Sequence, residues 1–503
     1  MSTKTAEIDW REWTPEALDL AAREDRPILL AITATWCHWC HVMDRTTFRD
    51  PEVAELINRR FVPVRADNDR RPDLNSRYNM GGWPTVALLT SEGDILTGAT
   101  YLPPTQMVVL LSRVADVYES ERSALAERAV GIRRQREQAL AGAETPFSGE
   151  QIREGIISAL ESAYDPVYGG FGREQKFPQT PALELLLSNY RRTGCRKHLD
   201  MVTKTLDAMR NGVLFDSVEG GFFRYSTTRD WSVPHYEKML EDNSGLLGVY
   251  AHAYGLTGDS RYLDTARSIV RYLESVLLDQ DTGAFFGSQD ADEDYYKLPL
   301  EERLQREPPS VDRAVYVSWN GTASAAFLKA YEATKERAYL DRALGVLEFL
   351  TRSCRRDGCF YHYFDGEPRE YGLLADQACA GMALVRAYEH TADQAYLDAA
   401  RSAADCILAE FADPRGGFYD VTEEHRKAEP LPYREKLLDE NSWTARLLIR
   451  LLNHTQNASY RAAAEAALRA LAGAYRDYGI LAAPYALAID ELVEGSTAGN
   501  QSQ

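Results

Sequence analysis

Long apolar runs are missing from these 503 residues. No stretch approaches the roughly 18 consecutive apolar side chains of a membrane span, so no transmembrane helix is expected. Positive charge is in short supply: Lys and Arg number 57 against 76 Asp and Glu, a formal charge of −19. Phosphate binding needs clustered cations, so no nucleic-acid partner is expected. Cysteine is scarce too, with seven in all. Five of them, Cys195, Cys354, Cys359, Cys379 and Cys406, stand singly and lack the spacing of a disulfide framework. They are expected to be buried small apolar residues with reduced thiols. The opening Met1-Ser2-Thr3-Lys4 shows no apolar signal segment, which points to a cytoplasmic setting. What remains, 45% hydrophobic and 26% charged, is an ordinary globular composition, too long for one core.

The other two cysteines lie together in Trp36-Cys37-His38-Trp39-Cys40-His41. Pro27–Thr33, just before, is short and rich in β-formers and predicts a buried strand. Apolar residues at helical spacing run on through Val53, Leu56 and Ile57, so one helix is predicted from the motif to there. Two cysteines at a strand-to-helix turn meet unpaired N–H groups and the positive end of a helix dipole, which favour a thiolate. Cys37 is then the nucleophile and Cys40, one turn on, the resolving thiol. Cys-x-x-Cys-His also fits haem attachment, which needs export, or a zinc site completed by His38 and His41, with no second Cys-x-x-Cys to help. No metal or other cofactor is expected. The redox reading is strengthened by Gly82-Trp83-Pro84-Thr85 ahead of a second apolar strand, Val86–Leu89. A proline opening a central strand has no N–H to lose there, and a cis bond is expected at Trp83–Pro84.

After about residue 148 the period changes to that of helices and a repeat emerges. Tyr262-Leu263-Asp264 returns as Tyr339-Leu340-Asp341 and Tyr396-Leu397-Asp398, with weaker copies near Leu199 and Tyr460. A second phrase alternates with it: Gly169-Gly170-Phe171, Gly220-Gly221-Phe222, Gly283-Ala284-Phe285, Gly358-Cys359-Phe360 and Gly416-Gly417-Phe418. Twelve helices are predicted, near 150–164, 179–193, 197–213, 242–256, 259–277, 319–334, 337–353, 374–391, 394–410, 440–454, 457–476 and 482–493. Those at 242–256, 319–334 and 374–391 are uncharged enough for an inner layer, while 259–277 and 394–410 carry charge on one face. Six such hairpins closing on themselves make an (α/α)6 toroid. An open solenoid would not require such long aromatic loops. The predicted organisation is an α/β domain over 1–118, a helical connector over 119–148 and an all-α toroid over 149–503.

Cys-His-Trp-Cys-His-Val-Met, Arg71-Pro72-Asp73, Gly81-Gly82-Trp83-Pro84 and Thr100-Tyr101-Leu102-Pro103-Pro104 resemble the spermatogenesis-associated protein 20 family. The resemblance implies a thioredoxin-like domain fused to a six-hairpin barrel, distantly similar to sugar epimerases and glycosidases. It continues through Gly-Gly-Phe-x-Arg-Tyr-Ser, Val-Pro-His-x-Glu-Lys-Met-Leu and Asp290-Ala291-Asp292. Against the thioredoxin pattern, the buried Asp six residues before the first Cys is Ala31. Cys37, Cys40, His38, Trp36, Trp83 and Pro84 are thus the expected dithiol site, with His38 stabilising the thiolate and making the disulfide more oxidising.

In a toroid, the loops entering the inner helices converge on one mouth. They bring Lys176, His235, Glu237, Lys238, Asp242, Asn243, Asp290, Asp292, Trp319, Asn320 and Asp376. Carboxylates, one histidine and aromatic rings suit a sugar-like ligand. The same residues also suit a capping network: Asp and Asn as helix caps, Glu237–Lys238 as an internal ion pair, and Trp319 as packing. The expected activity is thiol–disulfide oxidoreduction on a small-molecule or protein substrate. The alternative is a carbohydrate-binding or carbohydrate-active barrel with an accessory thioredoxin domain.

Overall fold

The computed structural model describes residues 7–140 and 147–500. Chain contacts divide it into two compact units, Met1–Ala141 with Val421–Glu435, and Gly142–Asp420 with Lys436–Gln503. The expected boundary at 143–148 falls largely outside the described residues.

The first unit is built on a four-stranded sheet, β1 (Ile28–Thr33), β2 (Val62–Asp67), β3 (Thr85–Leu89) and β4 (Ile95–Ala99), in the order β2-β1-β3-β4. β1 runs parallel to β2, with Ile28 opposite Val62, and antiparallel to β3, with Ile32 opposite Thr85. Every residue of β1 is buried, as a central strand covered on both faces must be. The surrounding helices are α1 (Pro15–Glu24), α2 (His38–Arg45), α3 (Pro51–Arg60), α4 (Pro72–Tyr78), α5 (Pro104–Ser120) and α6 (Arg122–Leu140). Leu29, Met43, Phe48, Ile57, Phe61, Leu88 and Leu111 meet in the core between them. The single helix expected through Ile57 is two. α2 stops at Arg45, and Asp50 opens α3 by accepting the N–H groups of Glu52 and Val53, with Pro51 as first residue. Apolar spacing carries across the break because both helices face one core; the Asp-Pro pair marks it.

The segment Val421–Glu435, expected to be part of the barrel, belongs to this first unit. Its short helix α18 (Glu423–Ala428) is capped by Thr422, whose hydroxyl accepts the His425 N–H. Its backbone satisfies buried side chains of the sheet domain: Trp13 donates to the Glu429 carbonyl at 2.8 Å, and Arg77 to the Tyr433 carbonyl at 2.8 and 3.1 Å.

The second unit contains the twelve expected helices: α7 (Gly149–Ala163), α8 (Thr180–Thr193), α9 (Arg196–Asn211), α10 (Leu240–Thr257), α11 (Ser260–Tyr272), α14 (Val317–Thr334), α15 (Arg337–Ser353), α16 (Leu374–Thr391), α17 (Gln394–Glu410), α19 (Leu438–Thr455), α20 (Ala458–Ala470) and α21 (Ala483–Asn500). Two single-turn helices, α12 (Glu293–Tyr296) and α13 (Leu300–Arg303), sit in a long loop. α8, α10, α14, α16, α19 and α21 each pack on the next, and α21 packs back on α8. The inner layer is therefore a closed ring, an (α/α)6 toroid. Inner and outer helices are joined by turns of two residues after Thr257, Thr334, Thr391 and Thr455. The Tyr-Leu-Asp phrase starts outer helices, burying Tyr262, Tyr339, Leu340 and Leu397 behind the ring.

The Gly-Gly-Phe phrase is held by one recurring device. In the first turns of four successive inner helices an amide side chain grips the backbone of that phrase's Phe through both polar groups. Asn243 accepts the Phe222 N–H at 2.7 Å and donates to its carbonyl at 3.0 Å. Asn320 does the same to Phe285 (2.8 and 2.9 Å), Gln377 to Phe360 (2.6 and 2.8 Å) and Asn441 to Phe418 (2.7 and 2.9 Å). All four amides are buried. Glycine is needed because the turn passes so close: at Gly220 and Gly221, both with positive φ, a Cβ would lie 2.5 Å from the Ser268 carbonyl oxygen and 2.6 Å from the Tyr272 ring.

Cys359 and Cys406 are not lone apolar residues. They are bonded to each other, Cα atoms 5.6 Å apart, tying the strand Cys359–Phe364 to α17. Their sequence separation of 47 hid the pairing, since each looks like an isolated buried cysteine. Cys354 stays a buried thiol, its pKa pushed up to about 12 by burial and by Asp376.

Two outcomes follow for stability. Asn320→Ala strands the Phe285 N–H and carbonyl away from water, at about 1–3 kcal/mol per group, so urea unfolding is expected to show a loss of roughly 2–5 kcal/mol. Non-reducing peptide mapping is expected to recover Cys359 linked to Cys406, and Cys359→Ala to lose about 2–4 kcal/mol, a loss that reductant reproduces in the unmodified chain.

Candidate functional site

Cys37 is the N-cap of α2, in extended conformation (φ −88°, ψ 104°), and its Sγ accepts the Cys40 N–H at 3.1 Å. The two cysteines are joined as a disulfide and both are buried. The motif interior is the opposite: His38 and Trp39 face solvent, Trp39 with 47% of its surface exposed. Trp39 packs on Tyr101 (ring centroids 5.1 Å apart) and on His38 (5.8 Å), forming an apolar platform beside the sulfurs. His41 turns back to the Thr35 carbonyl at 2.9 Å. The Trp83–Pro84 bond is cis, as expected. Trp83 meets Trp36 edge-on at 5.5 Å and donates its indole N–H to Asn75. Trp36 is buried and donates to Asp69 at 2.6 Å. The six predicted residues thus gather at one place. Asp69, Asn75 and Tyr101 join them without having been singled out. Tyr101 lies in one of the quoted family phrases, whereas Asp69 and Asn75 had no spacing signal of their own. Ala31 is buried in β1, with no carboxylate at that position.

The barrel residues separate into three sets. Lys176 and Lys238 are fully buried and spent on loop architecture. Lys176 binds Asp165 at 2.7 Å and the Gly169 carbonyl at 2.5 Å, under the Trp231 ring. Lys238 binds Asp216 at 2.6 Å and the Gly220 carbonyl at 3.0 Å, with Arg303 on the same carboxylate. Lys436 repeats the lock on Asp413 and the Gly416 carbonyl. Each lysine neutralises the Asp that opens a Gly-Gly-Phe turn, and each pair stands because charge and donors are matched inside. Asn243 and Asn320 are the backbone clamps. Asp292 caps α12 by accepting the Tyr295 N–H, Asp290 accepts the Ala291 N–H, and Trp319 packs on Tyr316.

A second set pairs histidine with carboxylate. His235 Nδ1 lies 2.6 Å from Glu237 and its ring stacks on Tyr225. Glu237 and Lys238 therefore do not pair with each other. His362 Nδ1 lies 3.0 Å from Asp376, whose other oxygen accepts the Ser318 N–H at 3.0 Å. His362 escaped notice because it sits inside a strand, away from the loop motifs.

The third set is acidic and lies at the starts of two inner helices. Glu241 and Asp242 occupy the first turn of α10, Asp439 and Glu440 that of α19. α10 and α19 are opposite members of the six-helix ring. Burial pushes the Glu241 carboxyl up to about 7, with Asp242 and Asp439 adding repulsion and Arg224 opposing it. Burial likewise raises Asp242 to about 6, and Asp439 upward. Glu241 and Asp439 are nevertheless exposed to solvent. These carboxylates form an acidic cluster that is exposed yet crowded by its neighbours.

A half-open cavity lies elsewhere. About 370 Å³ in volume, it is lined by Glu184, His252, Lys329, Glu332, Arg386 and Glu491 among others, and by none of the expected pocket residues. His252 follows Asp242 by ten positions on α10, placing it roughly 15 Å further along the helix, toward the short-turn end of the ring. Its charges are paired internally: Glu184 takes Lys329 at 2.6 Å and His252 at 3.0 Å, and Glu491 takes Arg446 at 2.8 Å.

Residues 1–136 match the family model Thioredox_DsbH, "Protein of unknown function, DUF255". Over 308 residues the chain is 34% identical to spermatogenesis-associated protein 20 of Mus musculus, covering 57% of this chain and 39% of that one. It is 27% identical over 456 residues to an uncharacterized protein of Caenorhabditis elegans, covering 68% and 62% respectively. The chain thus spans well under two thirds of its mammalian relatives' length. Over 83 residues (16% of this chain, 14% of the other) it is 31% identical to thiol:disulfide interchange protein DsbD of Yersinia pestis. Among solved structures, a D-mannose isomerase superposes with TM-score 0.57 at 12% identity, covering 69% of this chain and 97% of that one. A family 76 glycoside hydrolase (mannosidase) from Bacteroides thetaiotaomicron superposes with TM-score 0.51 at 15% identity, covering 70% and 99%. At such identities the likeness is one of fold. The chain thus combines a thioredoxin-like domain with a closed six-hairpin barrel and is similar, over 308 residues, to the spermatogenesis-associated protein 20 proteins.

Proposed function

We propose that this protein is a thiol–disulfide oxidoreductase acting through Cys37 and Cys40. The observation that carries the reading is the local geometry of Cys37. It starts a helix, accepts a backbone N–H on its sulfur, and sits one turn from a partner close enough to bond. In the reduced protein the Cys37 thiolate attacks one sulfur of a substrate disulfide, forming a mixed disulfide and expelling the other sulfur as a thiolate, which takes up a proton. Cys40, losing its proton, then attacks Cys37 Sγ. This closes the Cys37–Cys40 disulfide and releases the second substrate thiol, so two electrons pass to the substrate. The reverse sequence oxidises a dithiol. The exposed His38-Trp39 interior and Tyr101 supply the docking face. Similarity to a thiol:disulfide interchange protein over the same domain supports the reading.

The acidic cluster favours a second activity in the barrel: a polyhydroxylated ligand bound over Glu241, Asp242 and Asp439. A carboxyl raised to about 7 holds its proton near neutrality and can exchange it with a hydroxyl. Neighbours of this fold include an isomerase of mannose and a mannosidase.

For the dithiol, Cys40→Ser is expected to trap a glutathione adduct on Cys37, seen as a mass shift on that peptide, whereas Cys37→Ser forms none at Cys40. An adduct distributed equally over both cysteines defeats the assignment. For the acidic cluster, the folded state keeps a proton on Glu241 that the unfolded chain releases near the ordinary glutamate value. Stability therefore falls as pH rises from about 4.3 to about 7. Glu241→Gln removes that loss, so its melting temperature is expected to match the parent below the window and exceed it by roughly 1–4 °C at pH 8. Calorimetric titration of the full chain with mannose, and with Glu241→Gln, tests the ligand.

A further inference from the structure

Three residues of the segment Val421–Glu435, His425, Glu429 and Tyr433, bind α4 and its N-cap Arg71. His425 Nε2 lies 3.1 Å from Asp73 Oδ2, with both side chains buried. Asp73 also takes Arg71 in two parallel hydrogen bonds of 3.0 and 2.8 Å, and Arg71 reaches Glu429 at 2.8 Å. At the other end of α4, Arg77 spans from the Asp73 carbonyl (2.7 Å) to the Tyr433 carbonyl (2.8 Å). Burial alone would raise the Asp73 carboxyl; Arg71 and His425 together hold it well below the ordinary value, so Asp73 is a buried carboxylate met by both.

Between these anchors sits Asn75, whose Oδ1 accepts the Trp83 indole N–H at 3.2 Å and the Asn79 amide at 2.8 Å. Trp83 packs on Trp36, and Trp36 is pinned by Asp69 and immediately precedes Cys37. A continuous run of packed and hydrogen-bonded groups thus leads from His425 to the backbone that presents the nucleophilic sulfur.

We infer that His425 is a positioning residue of the dithiol site, the strap Val421–Glu435 acting through Asp73, α4, Asn75 and the Trp83–Trp36 pair to fix the Cys37 turn. The inference rests on the redox reading above for its functional meaning, while the mechanical claim stands on the contacts alone. It goes beyond that reading by assigning a site role to a stretch that the sequence places inside the barrel.

The test uses the full chain with two readouts: the equilibrium constant of the Cys37–Cys40 pair with glutathione, followed by mass spectrometry of that peptide, and amide hydrogen exchange. His425→Ala and Asn75→Ala are each expected to shift the constant several-fold in the same direction, and the double variant no further than the larger single one, because both cut the same path. His425→Gln, which keeps a donor facing Asp73, is expected to return toward the parent value. Exchange should quicken over residues 72–83 in His425→Ala while β1 and β3 stay protected. An unchanged constant in either single variant, or strictly additive shifts, overturns the inference. Should His425→Ala lose protection across β1 and β3 as well, Asn75→Ala with an intact sheet decides by the same criterion. Should the parent pair fail to equilibrate with glutathione at all, it is the redox reading that falls. The exchange result then decides the strap by itself: localised quickening supports it, and its absence overturns it.

Discussion

A side-chain amide that imitates a strand partner underlies the barrel. Asn243, Asn320, Gln377 and Asn441 each offer one acceptor and one donor to a single Phe backbone, satisfying both polar groups of a buried residue. The same amide also bonds a carbonyl at its own helix start, for example Met239 or Tyr316. One side chain therefore fixes where an inner helix begins and where the preceding loop turns. The first hairpin, whose inner helix α8 carries no such amide, uses Thr205 on the Gly170 N–H instead. Repetition of this joint keeps the loops above the ring in register. The Asp–Lys locks then close three of them with buried charge.

The ring also sorts charge along its axis. Six parallel inner helices present their positive ends together, and acids gather there: Glu241, Asp242, Asp376, Asp439 and Glu440 all lie in first turns. Toward the negative ends come Lys329, Arg386, Arg446, Arg450, His390 and His454, each answered by a glutamate. The difference between the ends is one of completion. At the basic end the cations find partners within the ring, whereas at the acidic end carboxylates repel one another and Arg224 only partly offsets them.

Much of this was legible from residue order. The helix period, the Tyr-Leu-Asp starts and the glycine turns gave twelve helices, because each depends on neighbours within one or two turns. The dithiol was legible because Cys37, Cys40, Trp83 and Pro84 lie in two short phrases. Long-range facts were not. Nothing local distinguishes Asn320 as a clamp from Asn320 as a ligand group, since both need a polar residue at a helix start. Cys359 and Cys406 looked like core fillers because a disulfide is a property of two distant positions. His362 was passed over inside a strand, and Lys176 and Lys238 looked functional because a buried lysine stands out until its aspartate is located. Val421–Glu435 was assigned to the barrel simply because barrel sequence lies on both sides of it.

That last segment sets the order in which the protein can be made. The sheet domain is assembled from two pieces of chain with the whole of Gly142–Asp420 between them. During synthesis its strands and its cysteine pair leave the ribosome long before the helix that carries His425 exists. Until then Asp73 and Arg77 lack the partners that Val421–Glu435 provides, and Trp13 has no Glu429 carbonyl to reach. A nascent chain therefore spends the translation of nine of the ring's twelve helices with its Cys37–Cys40 pair on an unfinished scaffold, and the final settling of the first domain waits on Val421–Glu435.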